Sequence, residues 1–451
     1  MGENKPTPAG IAYAFYKDKG FLSIDGDDKQ ILRFWRGDFY FWVEGVYKKI
    51  GKEELKAILV KYTKNLHVEP STKIMENIKL NLSSLTILSG DRVPNTWITT
   101  PDATEPVNSV VTESGILTVV GDEVNIKPNT PDFFALGKVP YKYDSSAECP
   151  RWDRFLDEVT GGNKSLQRML QQWAGYLLVP TQKYQCFLLC YGEAATGKGT
   201  YARAMKGMLG EDNCSEVPLR RFVDKFSMYL TYGKKLNIVG DAEQELTPQV
   251  EAVIKTWTGK DGLDYERKYA DGFTAEATAK LMILANDFPT FTDKSMGTWR
   301  RLKIVPFTRE DTNVLEHDLD ERLKEELPGI LNWAIAGLRD LRENHGFAVA
   351  EESKQVWEQS KEESNPAGIY LRSNYFFDHE YAFGCSPATV YAKYREWCKR
   401  NGYVAMSNKT FGKEIRRAFP KTEKRRMGGH GSRHYMYAGL KLSPGAEIRD
   451  Y

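Results

Sequence analysis

The chain has 451 residues, 41% hydrophobic, 27% charged and 12% aromatic, a composition that excludes a disordered, collagen-like or disulfide-dense protein. Its 63 Lys and Arg face 61 Asp and Glu, and the net charge of +2 at first argues against a nucleic-acid partner. At about 100–200 residues per domain, this length calls for roughly two to four domains.

The first residues, MGENKPTPAG, lack the basic stretch and apolar run of a signal peptide, and Pro6 stands where a myristoylation motif needs Ser or Thr. Apolar runs such as Cys186–Tyr191 and Leu281–Ala285 are too short to span a bilayer, so a soluble, cytoplasmic chain with no membrane partner is expected. Cys149, Cys186, Cys190, Cys214, Cys385 and Cys398 form no CxxC pair, which points to reduced thiols and away from a zinc site or disulfide framework.

Residues 1–75 read as a small α+β region. Ile31–Tyr47 is dense in aromatic and β-branched residues punctuated by Gly37 and Gly45, which predicts short strands and turns. Glu53–Asn65 sets Leu55, Ile58, Leu59 and Tyr62 on one helical face. Residues 76–180 read as a β-rich connector over Leu80–Tyr143, then a helical stretch over Cys149–Leu178 ended by Pro180. Residues 181–363 alternate strands and helices to about Phe307, the pattern of an α/β domain, and continue as helices over Glu321–Leu327, Gly329–Arg342 and Glu351–Glu363. Ser364–Gly368 marks the boundary to residues 364–451.

Chemistry concentrates in the third region. Gly192-Glu193-Ala194-Ala195-Thr196-Gly197-Lys198-Gly199-Thr200 fits G-x-x-x-x-G-K between a buried strand candidate, Gln185–Tyr191, and a helix, Tyr201–Leu209. Its glycines let backbone N–H groups curl around phosphate, the helix N-terminus faces the anion, and Lys198 adds a point charge. Gly199 stands where Ser or Thr is usual, so the Mg²⁺-side hydroxyl is assigned to Thr200. Lys235–Asp241 is an apolar strand ending in an acid, with Glu243 two residues on. Asp241 is assigned to the Mg²⁺ and Glu243 to the base that polarises water, and the reverse division stays open. Ala279–Ala285 is a third buried strand, and Asn286 at its end suits a γ-phosphate or the attacking water. Arg300 and Arg301 precede a further strand, and either is a candidate arginine finger for a neighbouring subunit's nucleotide.

Residues Thr389–Asn401 and Lys409–Phe419 read as helices, and Thr422–Ala438 as a hairpin with a glycine-rich tip. Helix, helix, hairpin is a winged-helix pattern. Between Cys385 and Lys441 there are fourteen Lys and Arg against three Asp and Glu, a local +11 that leaves −9 for the rest of the chain. The near-neutral total therefore hides a basic, DNA-facing tail. Its candidate contacts are Lys409, Lys413, Arg416, Arg417, Lys424, Arg425, Arg426 and Arg433, with His430 and His434 as wing residues among them.

Taken in order, GEAATGKGT, LNIVGDAE, TGKDGLDYERKYADGF, LMILANDFP and TWRRLKIVPF resemble the superfamily-three helicases of phage and plasmid replication, a module related to the poxvirus helicase-primase. The resemblance extends upstream through Leu32–Tyr47 and Cys149–Trp152 and downstream to about Leu440. It implies a P-loop, AAA+-like ATPase core with an N-terminal α+β region and a C-terminal winged-helix domain. It puts Asn286 at the sensor position, Trp299-Arg300-Arg301 in the finger segment and Lys268, beside Arg267, in a DNA-contacting hairpin. Lys260 departs from the pattern, standing where a second glycine is common. The implied activity is an ATP- and Mg²⁺-dependent DNA helicase acting as a ring, a hexamer, with a single strand in its channel, duplex or origin DNA on the winged helix, and a separate primase. The alternatives are an origin-binding initiator ATPase and, ranked last, a small-molecule P-loop kinase.

Overall fold

The computed structural model describes residues 6–99, 108–121, 123–240, 242, 245–268, 270–291, 296–308, 318–363, 365–381, 383–427 and 434–444. The chain divides into two compact units, one ending at Ser353 and one beginning at Lys354. That division falls within the helix Glu351–Glu363, ahead of the boundary expected at 364.

At the start of the first unit, an antiparallel meander of Leu32–Trp35, Asp38–Val43 and Val46–Lys49 accompanies the helices Pro8–Lys19, Lys52–Asn65 and Thr72–Thr86. Ile11, Phe15, Leu32, Leu59, Ile78 and Leu82 are buried in their shared core. The boundary expected at 75/76 lies inside Thr72–Thr86, and the β-rich reading from Leu80 gives way there to helix. Met75, Ile78 and Leu82 recur on one buried face, and the Ser71 hydroxyl accepts the Ile74 N–H at 3.3 Å as a cap. The β-rich connector is a second meander, Ser109–Thr112, Gly115–Val120 and Glu123–Lys127.

The centre of the unit is a parallel sheet of five strands, in spatial order Cys214–Ser215, Leu236–Val239, Lys280–Ala285, Phe187–Tyr191 and Leu302–Pro306. All six side chains of Lys280–Ala285 are buried, as a strand covered on both faces requires. The helices Pro150–Val159, Lys164–Tyr176, Lys198–Leu209 and Leu327–Glu343 share its core, with Trp152 stacked on Tyr201 at 5.7 Å. Pro328 stands in the first turn of the last of these helices, where its missing N–H costs nothing. Parallel strands bring all their carboxyl ends to one edge, where open α/β sheets bind ligands.

The second unit contains Pro366–Asn374, Pro387–Arg400 and Asn408–Ala418, followed by a hairpin of Glu423–Met427 and His434–Ala438. Gly384–Cys385 adds a third strand beside His434–Ala438. Tyr370, Tyr394, Trp397, Phe411 and Ile415 are buried together, and the Tyr394 and Phe411 rings stack at 4.3 Å. The first helix occupies what the sequence offered as a boundary, with the Asn365 side chain capping it.

Candidate functional site

The glycine-rich loop leaves Phe187–Tyr191 and ends at the N-terminus of Lys198–Leu209, so the helix starts three residues before the expected Tyr201. Two glycines are demanded by their surroundings. Gly192 has φ +149°, and a Cβ there would lie 2.3 Å from the Phe307 carbonyl oxygen. Gly197 has φ +97°, and a Cβ would meet Val159 Cγ1 at 2.6 Å. The C-terminal half of the helix Pro150–Val159, through Phe155 and Val159, thus backs the loop directly.

The Lys198 ammonium is drawn into the loop, donating to the Gly192 and Glu193 carbonyls at 2.6 Å each. Burial lowers its pKa from the usual lysine value. Ala194 through Thr200 line a cleft of about 510 Å³, joined by Gly240 at the end of Leu236–Val239 and Asn286 at the end of Lys280–Ala285. The loop and the amide predicted from separate motifs therefore meet at one edge of the sheet. Asp241 and Glu243 lie outside the described residues; Gly240, next to Asp241, lines the cleft.

Three further lining residues were missed by sequence reasoning: Arg203, Leu319 and Asp320. The Arg203 guanidinium donates to Asp320 at 2.7 Å and to the Thr200 hydroxyl at 3.2 Å. Arg203 sits three residues after Thr200 on one helix, a spacing that signals contact. Asp320 comes from far along the chain and left no local signal.

Arg300 and Arg301 are separated by the fold. Arg300 is exposed, while Arg301 is buried, its Nη1 donating to the Gly297 carbonyl at 2.9 Å. Burial, and then the neighbouring Arg300 charge, lowers the Arg301 pKa. Neither lines the cleft of its own chain among the described residues.

The hairpin Leu263–Arg267 and Ala270–Ala275 forms as the family pattern implies, with Lys268 exposed at its turn. Arg267 corrects the expectation of a DNA contact. Its Nη1 donates to Asp38 Oδ2 at 2.5 Å, and its Nη2 to the Arg36 carbonyl. The Arg267 and Asp38 side chains are 13% and 6% exposed, so both charges are committed inside the unit. Asp38 also accepts Lys49 at 2.8 Å, and the Arg36 guanidinium lies 3.5 Å from the Phe273 ring centre. The turn Trp35-Arg36-Gly37-Asp38 is a socket for the hairpin's root.

In the second unit, Lys409, Lys413 and Arg416 are exposed along one face of Asn408–Ala418. Arg417 is exposed too, but pairs at 2.7 Å with Glu414, which is 3% exposed. Lys424, Arg425 and Arg426 are exposed on Glu423–Met427, with Arg425 held by Glu423. His434 is exposed on the opposite strand; His430 and Arg433 lie outside the described residues. Among the described residues, no cluster of His, Cys, Asp and Glu is arranged to hold a metal. No described helix is long and apolar enough to cross a membrane.

Comparison with known proteins follows the same two-part division. Residues 365–444 match the RFX DNA-binding domain, and residues 190–301 match a family of unknown function, DUF5906. The chain is 25% identical over 187 residues to the "Putative helicase L207/L206" of Acanthamoeba polyphaga mimivirus, covering 40% of this chain and 19% of that protein. It is 33% identical over 102 residues to Transcription factor RFX4 of Mus musculus, covering 22% of this chain and 13% of that protein. The matches thus span less than a fifth of either relative. In fold, 97% of the chain aligns with all of the solved NrS-1 C terminal region at a TM-score of 0.55 and 13% identity.

Proposed function

We propose that the chain is an ATP-driven DNA helicase of the superfamily-three type, serving replication of a phage, plasmid or other mobile element. The observation that carries the reading is the meeting of the Gly192–Thr200 loop and Asn286 at the carboxyl edge of a parallel sheet. The partial likeness to a viral helicase and the RFX match support it.

The cleft suits a nucleoside triphosphate. Loop N–H groups and the start of Lys198–Leu209 face the phosphates, and Lys198 exchanges its carbonyl partners for phosphate oxygens. Asn286 orients the attacking water or the terminal phosphate. Thr200 and Asp241 are the residues to hold Mg²⁺, which when bound neutralises charge on the β- and γ-phosphates. Glu243 is the base. Of the two arginines, Arg300 is the one to reach a neighbour's nucleotide in a hexameric ring, because Arg301 is folded inward. Lys268 grips the strand in the channel, and the basic second unit engages duplex or origin DNA. A separate primase would supply primers.

Lys198→Ala tests the motor. ATP turnover should fall by at least about a hundredfold, and separation of a forked substrate should vanish with it. Unwinding that survives without turnover would remove the motor from the account. The RFX match favours a second reading, an initiator in which ATP switches assembly at an origin. A chain ending at Ser364 separates the two. Full sequence-specific binding by that shortened chain would end the initiator role of the second unit.

A further inference from the structure

One residue of the glycine-rich loop departs from the usual pattern: Gly199 stands where Ser or Thr is expected. The space beside it is occupied from the next turn of the helix. A Cβ on Gly199 would lie 3.0 Å from Arg203 Nη1, so the guanidinium lies over the position that lacks its hydroxyl. Helix geometry brings it there. Arg203 follows Thr200 by three residues on Lys198–Leu209, and helical side chains lean toward the N-terminus of their helix. That lean carries the charge back to the loop, and Arg203 lines the cleft together with Ala194 through Thr200.

The guanidinium is held on one edge and open on the other. Nε donates to Asp320 Oδ2 at 2.7 Å, and Nη2 donates to Asp320 Oδ1 and to the Thr200 hydroxyl, each at 3.2 Å. This is the paired fork that fixes the plane of an arginine. Nη1, the nitrogen nearest Gly199, donates to no group among the described residues. The Arg203 and Asp320 side chains are 58% and 42% exposed, and so open an ion pair contributes little to stability. What the pair supplies is orientation. A long side chain is set in advance, with the two N–H bonds of Nη1 uncommitted at the phosphate loop.

We propose that Arg203 is a phosphate-binding residue of the nucleotide site, its Nη1 donating to a phosphate oxygen from the place that Gly199 leaves open. Asp320 is a positioning residue that holds the guanidinium there. A permanent cation from the helix thus stands where a hydroxyl side chain is usual, and guanidinium geometry suits phosphate. This contact rests on the reading of the cleft as a nucleotide site.

The test is competition of ATP and of inorganic tripolyphosphate against a fluorescent ATP analogue on the full chain, in EDTA so that the protein's own cations are read. Arg203→Gln should weaken both competitors about tenfold, the loss of one hydrogen bond between charged groups. Arg203→Lys should weaken them less, because it keeps the charge and loses only the fork. Asp320→Asn should weaken both severalfold. The double variant should bind no worse than Arg203→Gln alone, since Asp320 acts through Arg203. Melting without ligand should stay near the wild-type value in each variant. Unchanged competition in Arg203→Gln would overturn the contact. So would a loss seen with ATP and absent with tripolyphosphate, which would put Arg203 on the base or ribose. Losses that add in the double variant would overturn the positioning role of Asp320. A wild-type chain that binds ATP, responds to Arg203→Gln as expected and separates no forked DNA would uphold the contact and defeat the helicase reading instead.

Discussion

Two basic regions of this chain look alike in sequence and differ in structure. The hairpin pair Arg267-Lys268 is rooted in buried charge, whereas the helix Asn408–Ala418 displays Lys409, Lys413 and Arg416 to solvent. The deciding factor is a carboxylate distant in sequence. Asp38 lies 229 residues before Arg267, and its side chain is nearly covered by the fold. In the second unit, Glu414 plays a similar part for Arg417 alone. A cation's availability to DNA is therefore set by what the fold has already placed beside it.

The largest expected effect breaks the hairpin's root. Arg267→Ala leaves Asp38 buried with Lys49 as its remaining ion partner, and removal of one member of a buried pair costs about 3–5 kcal/mol. Chemical denaturation should show that loss. If Arg267→Ala were as stable as wild type and only DNA binding fell, Arg267 would be a DNA contact after all.

The second unit should behave in the opposite way. Replacing Lys409, Lys413 and Arg416 together by Gln should weaken duplex binding at least about tenfold and lower the salt slope by roughly 0.9 per lost contact. Unfolding stability should hardly move. Arg417→Gln alone should change DNA binding less than Arg416→Gln, because its guanidinium already has Glu414. Equal losses from the two would show that the Glu414 pair opens on binding.

The strands around the glycine-rich loop were legible because a fully buried parallel strand reads as an unbroken apolar run, as at Phe187–Tyr191 and Lys280–Ala285. The loop itself was legible because Gly192, Gly197 and Lys198 stand at a fixed local spacing between a strand and a helix. The helix Thr72–Thr86 was not, since its polar Asn and Ser residues lie between the buried positions and obscure the period. Arg203 with Asp320, and Asp38 with Arg267, were invisible for another reason. Each joins segments more than a hundred residues apart, and no local pattern records such a pair.

The smallest effect concerns the opposite end of the same sheet. Lys235 and Lys280 sit where neighbouring strands begin, both buried, with the Lys280 N–H donating to the Lys235 carbonyl at 2.8 Å. Among the described residues their ammonium groups donate to carbonyls: Ser109 for Lys235, Val179 and Thr278 for Lys280. Burial pushes Lys235 down to about 8, and burial with the nearby Lys235 charge pushes Lys280 down to about 7. An unfolded lysine titrates near about 10.4. Between the folded and unfolded values the unfolded chain holds protons that the folded chain has released, so stability rises with pH across that window. Below about pH 7 both states are protonated and the contribution is flat. Urea midpoints measured from pH 7 to 9 should climb, by at most about 1.4 kcal/mol per pH unit for one lysine. Lys280→Met removes its group and should flatten the climb while leaving the part due to Lys235. An unchanged slope in that variant would mean that Lys280 stays protonated in the fold. Its charge would then be held by the Val179 and Thr278 carbonyls and the Tyr176 ring 4.6 Å away, making these neutral partners sufficient where the hairpin's root uses a carboxylate.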